Sequence, residues 1–301
     1  MDRRSFLIST AALATLTGWT RTAVSVGHLY VTHNGRPLNL RLLLPARDTG
    51  TALPVILFSH GANSAAHLYD ELLRPLAEWG ALLIAVDHLD AGGTPPPERL
   101  PAEGLFQSRI DDLKLPLEKR ALIDAYCAAR GHYVDWARVC AMGHSFGGAV
   151  AQGLAGATMI YGPNQAAKAR RVAAVSALIT LSPPGPRAGL VPEDAWKTVD
   201  VPSVAVTGTR DILPGFIDDW RTHVAGMGHG AENNRWRVVG EGVDHYFGGL
   251  ICRLKSGQEA AQQRPAMMQT VDLLKQFLEA WVGGQELPTP PQFSLLDIQR
   301  Y

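Results

Sequence analysis

The segment Gly143-His144-Ser145-Phe146-Gly147 sets a serine where its surroundings could make it a nucleophile. The apolar run Val139-Cys140-Ala141-Met142 leads into it. A small-residue run follows: Gly148, Ala149, Ala151, Gly153, Ala155, Gly156 and Ala157. The pattern predicts a buried strand, a very tight turn, and a helix packed closely on the sheet. A serine at the tip of such a turn is lifted clear, with Oγ exposed. Glycine is required at Gly143 and Gly147, because a side chain there would collide with the neighbouring strand and helix.

A serine hydroxyl is a weak nucleophile near neutral pH. It needs a base, a group that orients the base, and donors for the oxyanion that forms. In this strand–turn–helix setting the acid and then the base follow at the ends of later strands. His245 follows the last predicted strand, Trp236 to Val239, and is the candidate base. The chain has ten histidines. His28 and His33 lie far upstream, and His67, His132, His223 and His229 follow no strand. His144 sits inside the turn and is expected to face away from the serine. His60 and His88 end earlier strands, in the wrong order.

Asp211 closes the strand Val204 to Thr207 and is the candidate acid. Its rivals are Asp218, Asp219, Asp244 and Asp87. The oxyanion donors are expected to be the backbone N–H groups of Phe146 and Ala62, the latter from the loop after an earlier strand. Gly61 lets that loop turn toward the substrate, and His60 is expected to brace it. Nothing here calls for a metal or a cofactor.

These residues need a sheet that brings several strand ends to one edge. Residues 28–33 and 38–44 alternate as two strands, and Asn34-Gly35 between them signals a hairpin. Val55 to Phe58 and Leu82 to Val86 are continuous apolar runs, as expected of strands buried on both faces. Leu68, Leu72, Leu76 and Trp79 recur at helical spacing between them, making a crossover in a parallel sheet. Residues 89–107, rich in Gly and Pro, read as a long loop. Residues 109–129 read as a helix broken or kinked at Pro116, and 187–200 as a polar insert. Phe106, Trp196 and Phe216 could wall a pocket or belong to the core. Arg109 and Asp112 have the i, i+3 spacing of a local helix salt bridge. A closing helix carries Met267, Val271, Leu274, Leu278 and Trp281 on one face. Residues 284–301 read as a tail, draped on the surface or disordered.

With 301 residues, 46% of them hydrophobic, the chain can bury a large core. Zero formal net charge argues against a nucleic-acid partner. Cys127, Cys140 and Cys252 make neither a disulfide framework nor a metal site. A Cys127–Cys252 bridge stays open, and nothing in the sequence requires it. The N-terminus pairs Arg3-Arg4 with Ser5-Phe6-Leu7, then a short, weakly apolar run to Trp19, then Arg21. This resembles a twin-arginine export signal spanning residues 1–25, and implies a periplasmic or secreted protein. Removing Asp2, Arg3, Arg4 and Arg21 with it leaves a net charge of about −2. The apolar run is too short to span a bilayer, so no stable membrane span is expected.

The segments Leu57-Phe58-Ser59-His60-Gly61-Ala62-Asn63, Leu68-Tyr69, Ala85-Val86-Asp87-His88 and Gly143-His144-Ser145-Phe146-Gly147-Gly148 carry a family resemblance. They are similar to the α/β-hydrolase superfamily, and within it to platelet-activating-factor acetylhydrolases and dienelactone-hydrolase-like proteins. The resemblance implies an α/β fold over residues 26–283. Its central sheet would be mostly parallel with helices on both faces, an antiparallel N-terminal hairpin, and small insertions instead of a full cap domain. It also implies a metal-free serine esterase. Dienelactone hydrolases carry a cysteine at the nucleophile position, where this chain has Ser145.

The expected function is therefore cleavage of a small-molecule carboxylic ester through an acyl-enzyme on Ser145. An acyltransferase would use the same intermediate. A catalytically silent hydrolase-fold binding protein would retain the fold alone.

Overall fold

The computed structural model describes residues 24–93, 102–162, 164–228 and 234–301. Most of the expected export signal lies outside the described residues. Its last two residues, Val24 and Ser25, open the first strand. Residues 94–101 of the Gly/Pro loop also lie outside.

Val24–His33 (β1) and Arg36–Pro45 (β2) form the expected antiparallel hairpin. It turns at Asn34 (φ 48°) and Gly35 (φ 75°), and such a tight two-residue turn requires positive φ at both positions. Leu53–Ser59 (β3), Asp70–Trp79 (α1) and Leu82–Asp87 (β4) make the predicted crossover. Ala102–Glu118 (α2), Arg120–Ala128 (α3), Val134–His144 (β5) and Phe146–Leu154 (α4) follow. Thr158–Met159 (β6) and Lys168–Ala169 (β7) pair as a small separate ribbon. Val175–Leu181 (β8), Ser203–Arg210 (β9), Arg235–Asp244 (β10), Gln258–Val282 (α5) and Leu296–Arg300 (β11) complete the chain.

Nine strands form one sheet in the order β1-β2-β4-β3-β5-β8-β9-β10-β11. From β4 to β10 every neighbouring pair is parallel. The edges β1–β2, β2–β4 and β10–β11 are antiparallel. This is the α/β-hydrolase fold.

The unbroken apolar run in β3 has a simple cause. Ile56 and Phe58 pack on the face covered by Leu72 and Leu76 of α1 and Leu274 and Phe277 of α5. Val55 and Leu57 pack on the opposite face, with Phe106 and Ile110 of α2, Ile123 of α3 and Val150 of α4. Successive side chains point to opposite faces, so a strand covered on both must be apolar throughout. The parallel strands all end at one edge of the sheet, where open α/β sheets place their sites.

Several sequence expectations need correction, and the open question of a Cys127–Cys252 bridge is answered. The helix expected from Arg109 begins at Ala102, so the Gly/Pro loop is shorter. Pro116 lies inside α2, and the break falls at Lys119 (φ −102°, ψ 21°). Proline removes only one donor, and the helix runs on to Glu118 before opening. The tail is not merely draped: Leu296–Arg300 pairs with Trp236–Gly240 as an edge strand. All three cysteines are free and buried, so Cys127 and Cys252 do not pair.

A further correction concerns Arg109 and Asp112, which do not bond each other. Both are fully buried. Arg109 pairs with Asp90, while Asp112 meets Arg36 and His88. A buried charge needs several partners at once, and one neighbour a helical turn away cannot supply them. Among the described residues no helix is long and apolar enough to cross a membrane.

Candidate active site

β5 ends at His144 and α4 begins at Phe146, leaving Ser145 alone at the reversal with φ 54° and ψ −124°. A non-glycine residue rarely adopts that backbone unless its surroundings impose it. Here Ser145 N–H donates to the Leu181 carbonyl at 2.9 Å, and Gly148 N–H donates to the Ser145 carbonyl at 2.8 Å. A Cβ on Gly143 would lie 2.1 Å from the Gly147 carbonyl oxygen. One on Gly147 would lie 2.0 Å from that of Ser59. The glycines let helix, strand and turn approach to backbone contact.

The three candidate residues, 100 and 34 positions apart in the chain, meet at the strand ends. Ser145 Oγ donates to His245 Nε2 at 3.0 Å. His245 Nδ1 donates to Asp211 Oδ1 at 2.7 Å. The acceptor on one ring nitrogen and the donor on the other define the neutral Nδ1–H tautomer. Thr207 Oγ1 donates to Asp211 Oδ2 at 2.8 Å. Burial would raise the Asp211 pKa, but the close contacts with His223 and His245 outweigh it and hold the group ionised far below the usual carboxylate range.

His223 was passed over in the sequence because no strand precedes it. It lies in the 3₁₀ segment Trp220–Gly228, which folds back over the end of β9. Its Nδ1 donates to the Pro183 carbonyl at 2.7 Å. Its Nε2 lies 3.0 Å from Asp211 Oδ1, off the line of a good hydrogen bond. With Nδ1 already a donor, a bare Nε2 lone pair would face a carboxylate, which favours protonation of the ring. Burial lowers its pKa, and the contact with Asp211 more than reverses this, for a net rise.

His144 bonds away from Ser145, to the backbone of His245. Its Nε2–H donates to the His245 carbonyl at 2.9 Å. Its Nδ1 therefore accepts from Tyr69 Oη at 2.9 Å, and Tyr69 in turn accepts Gly61 N–H at 2.8 Å. Burial and the neighbouring His245 push the His144 pKa down to about 3, so the ring is neutral. A chain of hydrogen bonds thus joins the loop after β3 to His245.

In that loop, His60 is fully buried. His60 Nδ1 donates to the Gly61 carbonyl at 2.7 Å, and His60 Nε2 accepts from His88 N–H at 3.1 Å. Ala62 lines the same cavity as Ser145, Phe146 and His245. Among the described residues its N–H has no protein partner. Phe146 N–H is at the first position of α4, where helix donors lack intrahelical acceptors.

The rival carboxylates are engaged elsewhere. Asp244 caps the turn after β10 through Tyr246 and Gly248 N–H and holds Gln263. Asp87 accepts from Asn39 and from Ala66 N–H. Asp218 and Asp219 make local turn contacts.

The cavity holds about 510 Å³. Its walls are mainly apolar: Leu105, Phe146, Leu190, Leu213, Phe216 and Ile217. Arg187 and Arg253 are its charged lining residues. Of the aromatic residues considered from sequence, Phe216 lines the cavity, while Phe106 and Trp196 are core. The neighbouring wall residues Leu213, Pro214 and Ile217 give no sequence signal, because a short irregular segment carries no periodicity. Among the described residues, Asp211, His223 and His245 form a group whose ligand atoms lie close enough to surround a metal ion. A cation there would take the Nδ1 of His245 from Asp211, and the side chains are almost wholly buried. The donor set fits the hydrogen-bonded arrangement better than a metal.

Comparison with known proteins gives the following. The family described as "Alpha/beta hydrolase family" matches residues 56–293. No curated protein matches the chain. Among solved structures, a ferulic acid esterase from Streptomyces cinnamoneus is similar with a TM-score of 0.65 and 15% identity, covering 95% of this chain and 98% of that one. A Pyrococcus horikoshii acylaminoacyl peptidase is similar with a TM-score of 0.56 and 11% identity, covering 90% of this chain and 43% of that one. At these identities the likeness is one of fold.

Proposed function

The chain belongs to the alpha/beta hydrolase family, and on that premise we propose that it cleaves a carboxylic ester through an acyl-enzyme on Ser145. The observation that carries the reading is the continuous hydrogen-bonded row from Ser145 Oγ through His245 to Asp211. Ser145 attacks the ester carbonyl carbon while its proton passes to His245 Nε2. The carbonyl electrons move to oxygen, and the N–H groups of Ala62 and Phe146 hold that charge. As the tetrahedral intermediate collapses, His245 gives its proton to the departing alcohol. Water then repeats the cycle: His245 takes its proton, hydroxide attacks the acyl carbon, and Ser145 leaves reprotonated. Asp211 keeps the imidazole oriented and stabilises its charged form.

The apolar cavity wall suits an apolar acyl or alcohol group, and its two arginines favour an anionic substituent over a cationic one. Ser145→Ala is expected to abolish turnover of chromogenic esters and labelling by a fluorophosphonate probe, with the thermal melt preserved. Full turnover by a folded Ser145→Ala protein would overturn the mechanism. An acyl-chain-length panel of such esters, with water and a competing alcohol as acceptors, would then define the substrate.

A further inference from the structure

Arg109 is fully buried beneath the loop that follows β3, away from the cavity. Its guanidinium is held by Asp90 from Nε at 3.0 Å and from Nη2 at 2.7 Å. The remaining reach of the fork goes to backbone. Nη1 donates to the His60 carbonyl at 2.5 Å, and Nη2 donates to the Gly61 carbonyl at 3.1 Å. Asp90 Oδ2 also accepts Asn63 N–H at 2.8 Å. Burial would raise the Asp90 pKa, but the charge and hydrogen bonds of Arg109 hold it down at about 2, so the pair is ionised.

Peptide geometry converts these contacts into an orientation. The described peptides are trans, so each carbonyl and the following N–H point in opposite directions. In the His60–Gly61 peptide, the carbonyl faces Arg109 and the Gly61 N–H reaches Tyr69 Oη on the other side. In the Gly61–Ala62 peptide, the carbonyl is pinned by both Arg109 and His60 Nδ1. The Ala62 N–H must then point the opposite way, toward the cavity that Ala62 shares with Ser145. The guanidinium carbon also stands 4.9 Å from the centre of the Phe146 ring. One buried cation therefore touches the residue pairs that carry both donors. Its charge polarises the Gly61–Ala62 peptide in the sense that makes the Ala62 N–H a stronger donor.

We propose that Arg109 is the positioning residue of the oxyanion hole, fixing the Ala62 N–H through the Gly61 carbonyl and seating Phe146 through its ring. The proposal rests on the ester-hydrolase reading and assigns Arg109 no contact with substrate. Its planar fork is essential, because a lysine keeps the charge but cannot span Asp90 and two carbonyls.

The test uses the full chain, p-nitrophenyl butyrate as substrate, and an alkyl boronic acid, which forms a tetrahedral anionic adduct on the serine. Arg109→Lys keeps the charge. The double variant Arg109→Met with Asp90→Asn removes the pair without orphaning a buried ion. In both, kcat should fall by about 10²–10³-fold, the magnitude for loss of an oxyanion donor. The boronate Ki should rise in parallel, while KM stays within about 3-fold because ground-state binding is untouched. The pH profile of kcat/KM should not move, since the base is unaltered. In the wild type, boronate binding should shift the Ala62 and Phe146 amide protons downfield in a ¹H–¹⁵N spectrum.

Folded variants that keep kcat and boronate affinity would overturn the proposal. So would an Ala62 resonance that stays unmoved, whether or not the variants fold. A wild type that neither turns over the ester nor labels at Ser145 would instead overturn the hydrolase reading on which the proposal stands.

Discussion

His223 Nε2 lies 3.0 Å from Asp211 Oδ1, the same oxygen that accepts the Nδ1–H of His245. Two imidazole rings thus share one buried carboxylate oxygen, and only one of them reaches the serine. His223 has its pKa raised on folding. Its contribution to stability is therefore complete below the ordinary histidine value of about 6.5 and is lost as pH rises through the raised value. Asp211 has the opposite sign: its depressed pKa contributes above about 3.9 and is lost only as pH falls far into acid. In His223→Gln, the melting-temperature deficit relative to wild type should be largest near pH 5–6 and narrow above about pH 7. A deficit that is constant across that range would refute the imidazolium assignment.

Asp211→Asn should reduce kcat by about 10³–10⁴-fold with little change in KM, the scale on which a misoriented tautomer slows a serine nucleophile. Asp244→Asn serves as its control. That carboxylate holds a turn, not the base, so steady-state kinetics should show a small effect. Equal losses in the two variants would reassign the acid.

Tyr69 Oη bridges Gly61 N–H and His144 Nδ1 and is fully buried. Tyr69→Phe leaves both groups without that partner. Each unsatisfied buried group costs about 1–3 kcal/mol. Urea denaturation should show a loss in that range, with a reduced kcat from a loosened loop. An unchanged midpoint would mean that the bridge contributes nothing net.

Gly147→Ala should fail to fold or should melt far below wild type, since its Cβ would stand 2.0 Å from the Ser59 carbonyl oxygen and 2.6 Å from that of His60. Gly35→Ala, with positive φ but open space around it, should cost only about 1 kcal/mol. Thermal melts of the two proteins compare contact with conformation directly.

Arg187 and Arg253 line the cavity and are exposed. Charge reversal in Arg253→Glu should raise KM about 5–10-fold for esters bearing a carboxylate and leave neutral esters nearly unchanged, as an ion contact of about 1 kcal/mol near the surface implies. Added salt should shrink the difference. Selectivity that ignores both charge and salt would remove the arginines from substrate recognition.

The strand–turn–helix at Ser145 was legible from sequence, because its glycines and apolar run are local requirements of backbone packing. The parallel sheet was legible in β3 and β4, whose continuous apolar residues signal burial on both faces. Their order also narrowed the candidate acid and base to Asp211 and His245, which directly follow β9 and β10. What the sequence could not disclose depends on groups distant in the chain. His223 follows no strand, yet the return of its segment over β9 seats it on Asp211. Arg109 and Asp112 have the spacing of a local pair, yet burial sends them to Asp90 and to Arg36 and His88. The terminal strand Leu296–Arg300 is too short and polar to announce itself, and pairing with β10 alone makes it a strand. Local periodicity records which faces are buried. Only the closed tertiary structure decides which buried charge finds which partner, because that choice is set by simultaneous hydrogen bonds from several strand ends.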